Sequence, residues 1–425
     1  MKALVIGGGG REHALAWRLS RSDSIERVYC TPGNAGIAMD LSCIPADMKS
    51  TLELAELAST LGVDFTVVGP EAPLVAGVVD EFDSRGLPIV GPTKAAAQLE
   101  GSKVFSKDFL VKHGIPTARA ATVERADELD AALDDIGAPV ALKADGLAAG
   151  KGVVLCQTLD EAKSVGREML AGEIVGSAGA RLLVEEFMVG REVSFIVLSD
   201  GERTFEFRAT QDHKAAHDGD TGPNTGGMGA YCDDSILDEA LRQRILDEVV
   251  SPTLDGMAQS GEAFRGFLYV GLMITDEGPK VLEFNVRLGD PETQPLLYRL
   301  TGDFGELLYS AARGALDASQ ADWANGATAC VVMASGGYPG PYEKGKVITG
   351  LPEATKTGAK VFHAGTMLRD GRVATSGGRV LGVTAGGDSL QAALDTAYAG
   401  VEKLSFEGAQ FRRDIGQKGL ARLTG

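Results

Sequence analysis

The first hundred residues constrain this chain most, because apolar runs and helical patterns alternate along them. "ALVIGG" (3–8), "RVYCTPG" (27–33), "DFTVVGPE" (64–71) and "PIVGP" (88–92) read as strands. "REHALAWRLSRS" (11–22), "TLELAELASTLG" (51–62) and "LVAGVVDEFDSRG" (74–86) read as helices. Continuously apolar strands separated by helices imply a parallel sheet covered on both faces. Ligands of such a sheet bind beyond the carboxyl ends of its strands. Three glycine-bearing loops fall there: "GGGG" (7–10), "PGNAG" (32–36) and "GPEAP" (69–73).

The first loop is a strand–glycine–helix turn, which can offer backbone N–H groups and a helix N-terminus to an anion. The other reading is a tight turn with no ligand. The dinucleotide fingerprint G-x-G-x-x-G fails, because its third glycine would fall on Glu12 or His13. The second strand ends in "CTPGNAG", without the acid that a nicotinamide or flavin ribose needs, and no Walker sequence is present. Glu12 beside a phosphate would be repulsive, so it caps the helix or meets a ribose hydroxyl. His13 reads as a packing or hydrogen-bonding residue rather than a catalyst.

A chain of 425 residues suggests about three domains. After a helix over 93–114 the pattern changes. Strands at 139–146, 152–157 and 181–188 surround a helix at 159–170, and 192–201 and 204–211 form an antiparallel pair. A long helix is expected near 235–260, then two strands over 267–287 joined by a turn containing Gly278 and Pro279. Short strands and a late helix (389–404) fill the region from about 327. The net charge of −18 argues against nucleic-acid or anionic-membrane partners but permits local basic pockets. Five cysteines without metal-ligand spacing point to a reducing, intracellular setting. Neither a membrane span nor a signal peptide is visible.

"VLEFNVRLGDPETQ" (281–294) is the most informative stretch. Strand side chains alternate, so Leu282, Phe284 and Val286 should enter a core while Glu283, Asn285 and Arg287 share the other face. A carboxylate, an amide oxygen and a guanidinium in a row suit a divalent cation and a triphosphate. A solvated polar strand face is the alternative. "ALKADGLAAGKGV" (141–153) places Lys143 on a strand and Lys151 in a small-residue loop whose amides can approach phosphate oxygens. Glu185 and Glu192, in "LLVEEFMVGREVSF", read on their own as surface acids. "DTGPNTGGMGA" (220–230) has four glycines and few apolar side chains, so it reads as a functional loop and not as core.

Together, "GGREHALAW", "PGNAG", "GPEAPLVAG", "GPTKAAAQLEGSK", "KADGLAAGKGV", "QDHKAAHDGDTGPNTGGMGAY" and "EFNVRLGDPETQ" resemble the glycinamide ribonucleotide synthetases, or phosphoribosylamine–glycine ligases, of the ATP-grasp superfamily. The match runs nearly end to end. The resemblance implies an α/β architecture with an N-terminal parallel α/β ribotide-binding domain (1–102). A central ATP-grasp domain (103–326) with a mobile lobe (about 115–195) and a small C-terminal α+β domain (327–425) would follow. It implies ligation of glycine to 5-phosphoribosylamine with ATP and Mg²⁺ or Mn²⁺, through glycyl phosphate, by a cytoplasmic monomer without nucleic-acid or membrane partners.

Carried over by motif, Lys103 and Lys143 hold ATP phosphates, and the loop containing Gly150, Lys151 and Gly152 closes over them. The backbone at Glu185, Glu186 and Phe187 meets adenine, and Glu192 the ribose. Glu283 and Asn285 ligate the metal, Arg287 neutralises the transferring phosphoryl group, and Asp290 orients the amine and helps to deprotonate it. Gly9, Gly10, Arg11 and Glu12 belong to a ribose 5-phosphate site completed by Pro32, Gly33, Asn34 and Glu71, with Arg379 as a further phosphate contact. Asp212, Lys214, Asn224, Gly226, Gly227 and Met228 border the glycine and ribosylamine sites. Two departures stand out. Gly271 faces the metal strand where many relatives carry a second carboxylate. Ala215 and Ala216 stand where a basic or bulky residue is expected, and His217 is also unusual there, which leaves Lys214 as that turn's functional side chain.

Overall fold

The computed structural model describes residues 1–146, 152–174 and 180–424. The N-terminal part is a five-stranded parallel sheet in the spatial order Ser42–Cys43, Arg27–Pro32, Lys2–Gly7, Phe65–Val68, Ile89–Val90. The order reverses at the first strand, so the crevice opens at its glycine-rich end. Alternation along that strand sends Ala3 and Val5 into one core and Leu4 and Ile6 into another, as a sheet covered on both faces requires. Ser42–Cys43 escaped the sequence reading because it is a two-residue edge strand.

Helix Lys103–Lys112 leads to a four-stranded sheet ordered Ala120–Val123, Leu182–Glu186, Val140–Ala144, Val153–Cys156. Two helices, Ala126–Ile136 and Leu159–Leu170, cover it, one more than expected. This lobe owns a separate core of Val123, Leu129, Leu133, Leu142, Met169 and Val184.

Most of the remaining strands make one antiparallel sheet ordered Gly278–Asn285, Arg265–Thr275, Arg191–Asp200, Thr210–Asp212, Gly229–Cys232, Ala327–Ala334, Arg379–Gly387, Lys360–His363, with Thr204–Glu206 paired to Arg191–Asp200 off that path and the others in separate two-stranded pairs. It runs unbroken from the central region into the C-terminal one, through pairing of Gly229–Cys232 with Ala327–Ala334. The expected long helix spans Glu239 to Gln259, with a π turn over Leu246–Val250. The hairpin turn is Asp276–Glu277, not Gly278–Pro279; Gly278 already pairs with Thr275. Among the described residues, no helix is long and apolar enough to cross a membrane.

N- and C-terminal parts meet at the first helix, Gly10–Leu19. His13 Nδ1 accepts the His363 N–H at 2.9 Å, and Trp17 stacks on Tyr298. Burial drives the His13 pKa well below its ordinary value, so His13 stays neutral and packs, as its sequence context suggested.

Candidate active site

The strand Gly278–Asn285 carries a bulge that sets the site. Gly271 faces Glu283, but Leu272 faces Val281, so Leu282 is the extra residue. Val281, Phe284 and Val286 enter the core. Leu282 does not join them, contrary to simple alternation. It lines the cleft beside Ala118, Met188 and Met273, and its carbonyl accepts from Lys143 Nζ at 3.0 Å. Glu283, Asn285 and Arg287 do share a face, and they open into a cavity of about 500 Å³. They are not a solvated strand surface.

Arg287 is held by two acids. Its Nη2 donates to Glu100 Oε1 at 2.7 Å and to Asn285 Oδ1 at 2.9 Å, and its Nε lies 3.4 Å from Glu71 Oε2. The other Glu100 oxygen accepts the Val286 N–H at 2.8 Å. Burial opposes the guanidinium charge, but Glu100 and Glu71 outweigh it and move the pKa up. Burial equally opposes ionisation of Glu283, and Lys214, Lys143, Lys103 and Arg287 reverse it, so its pKa falls below the ordinary carboxylate value.

Lysines supply the opposite wall. Glu185 is buried, and its carboxylate pairs with both Lys143 and Lys107, the latter at 2.8 Å. It is therefore not a surface acid. Lys107, one helical turn after Lys103, was missed by sequence reasoning, although the i, i+4 spacing puts both on one helix face. Lys103 Nζ donates to Gly146 O at 3.1 Å, and burial lowers its pKa against the pull of Glu283. Gly152 borders the cavity, whereas Gly150 and Lys151 lie outside the described residues. The side chain of Glu186 turns away to Arg119, and Phe187 is exposed; neither lines the cavity.

Lys214 lines the cavity and binds Glu192 at 2.8 Å. Asp212 is pushed up to about 8 by burial, against Lys214, with Glu292, Glu192 and Glu283 adding to the rise. Tyr269 and Glu292, also missed, bond to each other at 2.8 Å in the same wall. Tyr269 was reachable by alternation, since it shares a strand face with Gly271.

The segment 220–230 is only half a loop. Residues Thr221–Asn224 pair with Ala215–His217 as a hairpin, while Gly229–Cys232 is a buried strand. Asn224 is exposed and Met228 fully buried, so neither side chain borders the cavity; Thr225 and Gly226 do. Ala215 and Ala216 are buried, and the guanidinium of Arg412 donates to Ala215 O at 3.2 Å. Gly227 has φ +110°, and a Cβ there would strike Pro291. Gly227→Ala is expected to destabilise the protein by about 2 kcal/mol, read as a lower urea midpoint.

Asp290 follows on the same strand exit. Its carboxylate accepts from Gln294 Nε2 at 2.8 Å and lies 3.2 Å from Arg379 Nη2. Burial favours the neutral acid, but Arg379, Arg11 and the Gln294 hydrogen bond lower its pKa below the ordinary value. Asp290 and Arg379 also border a second cavity of about 360 Å³, walled by Gly8, Gly9, Gly33 and Asn34. The N-terminal glycines thus meet the C-terminal part across an open space. Asn34 spends its amide on Gly8 O and His363 O, at 2.9 and 2.8 Å. Glu12 is buried beneath the turn, where it accepts from Gly9 N–H at 2.5 Å and pairs with Arg11 at 2.6 Å. It is the helix cap, not a cavity residue. Gly7 and Gly69 leave the space it fills. Gly10 is buried at the helix start, Pro32 lies at a strand end outside both cavities, and Arg11 and Glu71 border the first.

Three family models cover the chain in order. They are the N domain of phosphoribosylglycinamide synthetase over residues 1–100, its ATP-grasp (A) domain over 101–293, and its C domain over 328–418. The chain belongs to the phosphoribosylglycinamide synthetase family. A phosphoribosylamine–glycine ligase of Pseudomonas aeruginosa is 52% identical over 428 residues, covering 100% of both chains. One from Escherichia coli O6:H1 is 50% identical, with 99% of each chain covered. The crystal structure of the Thermotoga maritima phosphoribosylamine–glycine ligase superposes with a TM-score of 0.85 at 34% identity, covering 98% of this chain and 100% of that one. The biotin carboxylase domain of Hydrogenobacter thermophilus 2-oxoglutarate carboxylase, in complex with MgADP, shares the fold at TM-score 0.71 and 16% identity, covering 96% and 91%. The family's three-domain ATP-grasp architecture is therefore that of this chain, including the antiparallel sheet that carries the Glu283 strand.

Proposed function

We infer that this chain ligates glycine to 5-phosphoribosylamine, with cleavage of ATP to ADP and phosphate, as a carbon–nitrogen ligase of de novo purine biosynthesis. The observation that carries the reading is the Glu283, Asn285 and Arg287 face, which opens into a cleft lined with lysines, within the stretch matched by the family's ATP-grasp domain.

In the first step a glycine carboxylate oxygen bonds to the γ-phosphorus as the bond to the ADP oxygen breaks. In the second the ribosylamine nitrogen bonds to the glycyl carbonyl carbon, the carbon–oxygen bond to phosphate breaks, and the nitrogen's proton passes to the departing phosphate. Such chemistry is positioning and charge neutralisation. Lys103, Lys143 and Lys107 bind phosphate oxygens, with Glu185 fixing two of them. The Glu185, Glu186 and Phe187 backbone with Leu282 holds the adenine end, and Glu192 the ribose. Arg287 stabilises charge on the transferring phosphoryl group. Asp290 orients the amine; a carboxylate with a lowered pKa is a weak base at neutral pH, so the proton-accepting role expected for it has no support. The second cavity takes the ribose 5-phosphate, on the N-terminal helix and its glycines.

Glu283 and Asn285 fit Mg²⁺. They offer one ionised carboxylate and one amide oxygen, and Mg²⁺ takes its remaining ligands from phosphates and water. Among the described residues no cluster of three or more acid, histidine or cysteine ligands is present, which suits an ion delivered with its nucleotide. An ion held there would neutralise charge on the nucleotide's phosphates. Mn²⁺ serves the same oxygen ligands, and the protein acts as a cytoplasmic monomer.

The test is ADP formation with ATP, Mg²⁺, glycine and phosphoribosylamine made in situ from ribose 5-phosphate and ammonia. Omitting any one is expected to stop ADP release; full activity without glycine or without ribose 5-phosphate would overturn the reading.

A further inference from the structure

The two cavities share a wall of three residues: Asp290, Arg379 and Tyr338. Tyr338 has no place in the roles assigned above. Its hydroxyl oxygen accepts the Gly226 N–H at 3.0 Å. On the other side of that glycine, Arg379 Nη1 donates to Gly226 O and to Asp290 O. Both Gly226 carbonyl and amide are therefore gripped from the C-terminal part. The grip is built, not incidental. The Tyr338 ring fills the space beside Gly378, where a Cβ would collide with it, and the Tyr338 carbonyl accepts from Gln410 Nε2 at 2.7 Å. A Cβ on Gly226 would lie only 3.0 Å from the Arg379 guanidinium carbon. Among the described residues none accepts the proton of the Tyr338 hydroxyl, which is left for an acceptor at the junction of the cavities.

We propose that Tyr338 is a positioning residue for the amine half-reaction: with Arg379 it fixes Gly226 where the phosphate cleft opens into the ribotide cavity, and so sets the approach of the ribosylamine to the glycyl carbonyl. The proposal rests on the functional reading above. Its geometry separates the two half-reactions. Phosphoryl transfer to glycine uses Lys103, Lys143 and the Glu283 strand, none of which Tyr338 touches. Attack by the amine needs a substrate spanning both cavities, and Tyr338 stands at the passage.

Tyr338→Phe removes the hydroxyl and keeps the ring, so the packing over Gly378 survives. Loss of one neutral hydrogen bond is expected to lower kcat/KM for phosphoribosylamine about tenfold, leaving KM for ATP and the melting temperature unchanged. The partial reaction is read separately. Hydroxylamine, too small to need the ribotide cavity, attacks glycyl phosphate and gives glycine hydroxamate. Hydroxamate and ADP formation from ATP, glycine and hydroxylamine should be equal in Tyr338→Phe and the unaltered enzyme. Equal losses in both reactions, or a loss in neither, would overturn the proposal. If the unaltered enzyme makes no hydroxamate, the acyl-phosphate reading falls instead. The positioning role is then decided by whether KM for the amine rises while KM for ATP does not.

Discussion

Arg287→Ala is expected to lower kcat by at least about a thousandfold, the scale on which a transition-state arginine acts in phosphoryl transfer, while ATP affinity stays within about tenfold. The split follows from the neighbours. Lys143, Lys107 and Lys103 reach the cleft on other elements and remain to bind the ground-state phosphates. Arg287 stands at the exit of the Glu283 strand, three residues before Asp290, where the proposed mechanism brings the γ-phosphoryl group to the glycine carboxylate. The substitution also strands two acids. Glu100 is buried, and its pKa is already raised by burial against the pull of Arg287. Without that cation it should rise further, because burial then acts unopposed by Arg287. A carboxyl whose folded pKa exceeds its unfolded value stabilises the fold at low pH and loses that contribution as pH rises. The variant should therefore be less stable at pH 8 than at pH 6, relative to the unaltered protein. Arg287→Ala combined with Glu100→Gln should recover much of that stability and none of the activity. Urea midpoints and steady-state ADP release measure the two separately. Recovery of turnover along with stability would mean that Arg287 serves the fold and not the chemistry.

That pair of acids also marks where reading the sequence ran out. Periodicity shows which face of a strand a residue occupies, so the row Glu283, Asn285, Arg287 and the parallel N-terminal sheet were legible. It does not show what approaches from another element. Glu100 lies far along the chain from Arg287 and meets it only through the packing of a short helix, Gln98–Gly101, on the metal strand. Glu185 reads as a surface acid until Lys107 and Lys143 are brought to it from two separate elements. Leu282 was misassigned for a related reason. A bulge is a property of a strand pair, visible only in the register against Arg265–Thr275.

The glycine-rich stretch 220–230 shows the opposite failure. Its composition reads as loop throughout, yet Gly229–Cys232 is a central strand, because small residues are what fit there. A Cβ on Gly229 would meet Ile415 and the Cys330 carbonyl. Only Thr225 and Gly226 remain at the cavity, and Gly226 is held by side chains more than a hundred residues away. The C-terminal part could likewise be read as a region of short strands, but not as the continuation of the same sheet. Strand pairing at that separation leaves no local mark.

Glu283→Gln should move two observables in opposite directions. The substitution keeps shape and one oxygen but removes the charge that a divalent ion needs from its site. ADP release at saturating glycine is expected to fall by at least about a thousandfold, and the Mg²⁺ concentration for half-maximal rate to rise. Binding of ATP in the presence of a chelator should nevertheless tighten, by about threefold or more. Four cations, Lys214, Lys143, Lys103 and Arg287, hold the Glu283 carboxylate ionised. With its charge gone their field falls on the polyphosphate undiminished. Calorimetric titration with ATP and excess chelator measures this directly. A Glu283 that only braced the strand would weaken metal-free binding when altered, because the cations around it would shift. Opposite signs therefore distinguish a ligand of the nucleotide's ion from a structural acid, which loss of activity alone does not.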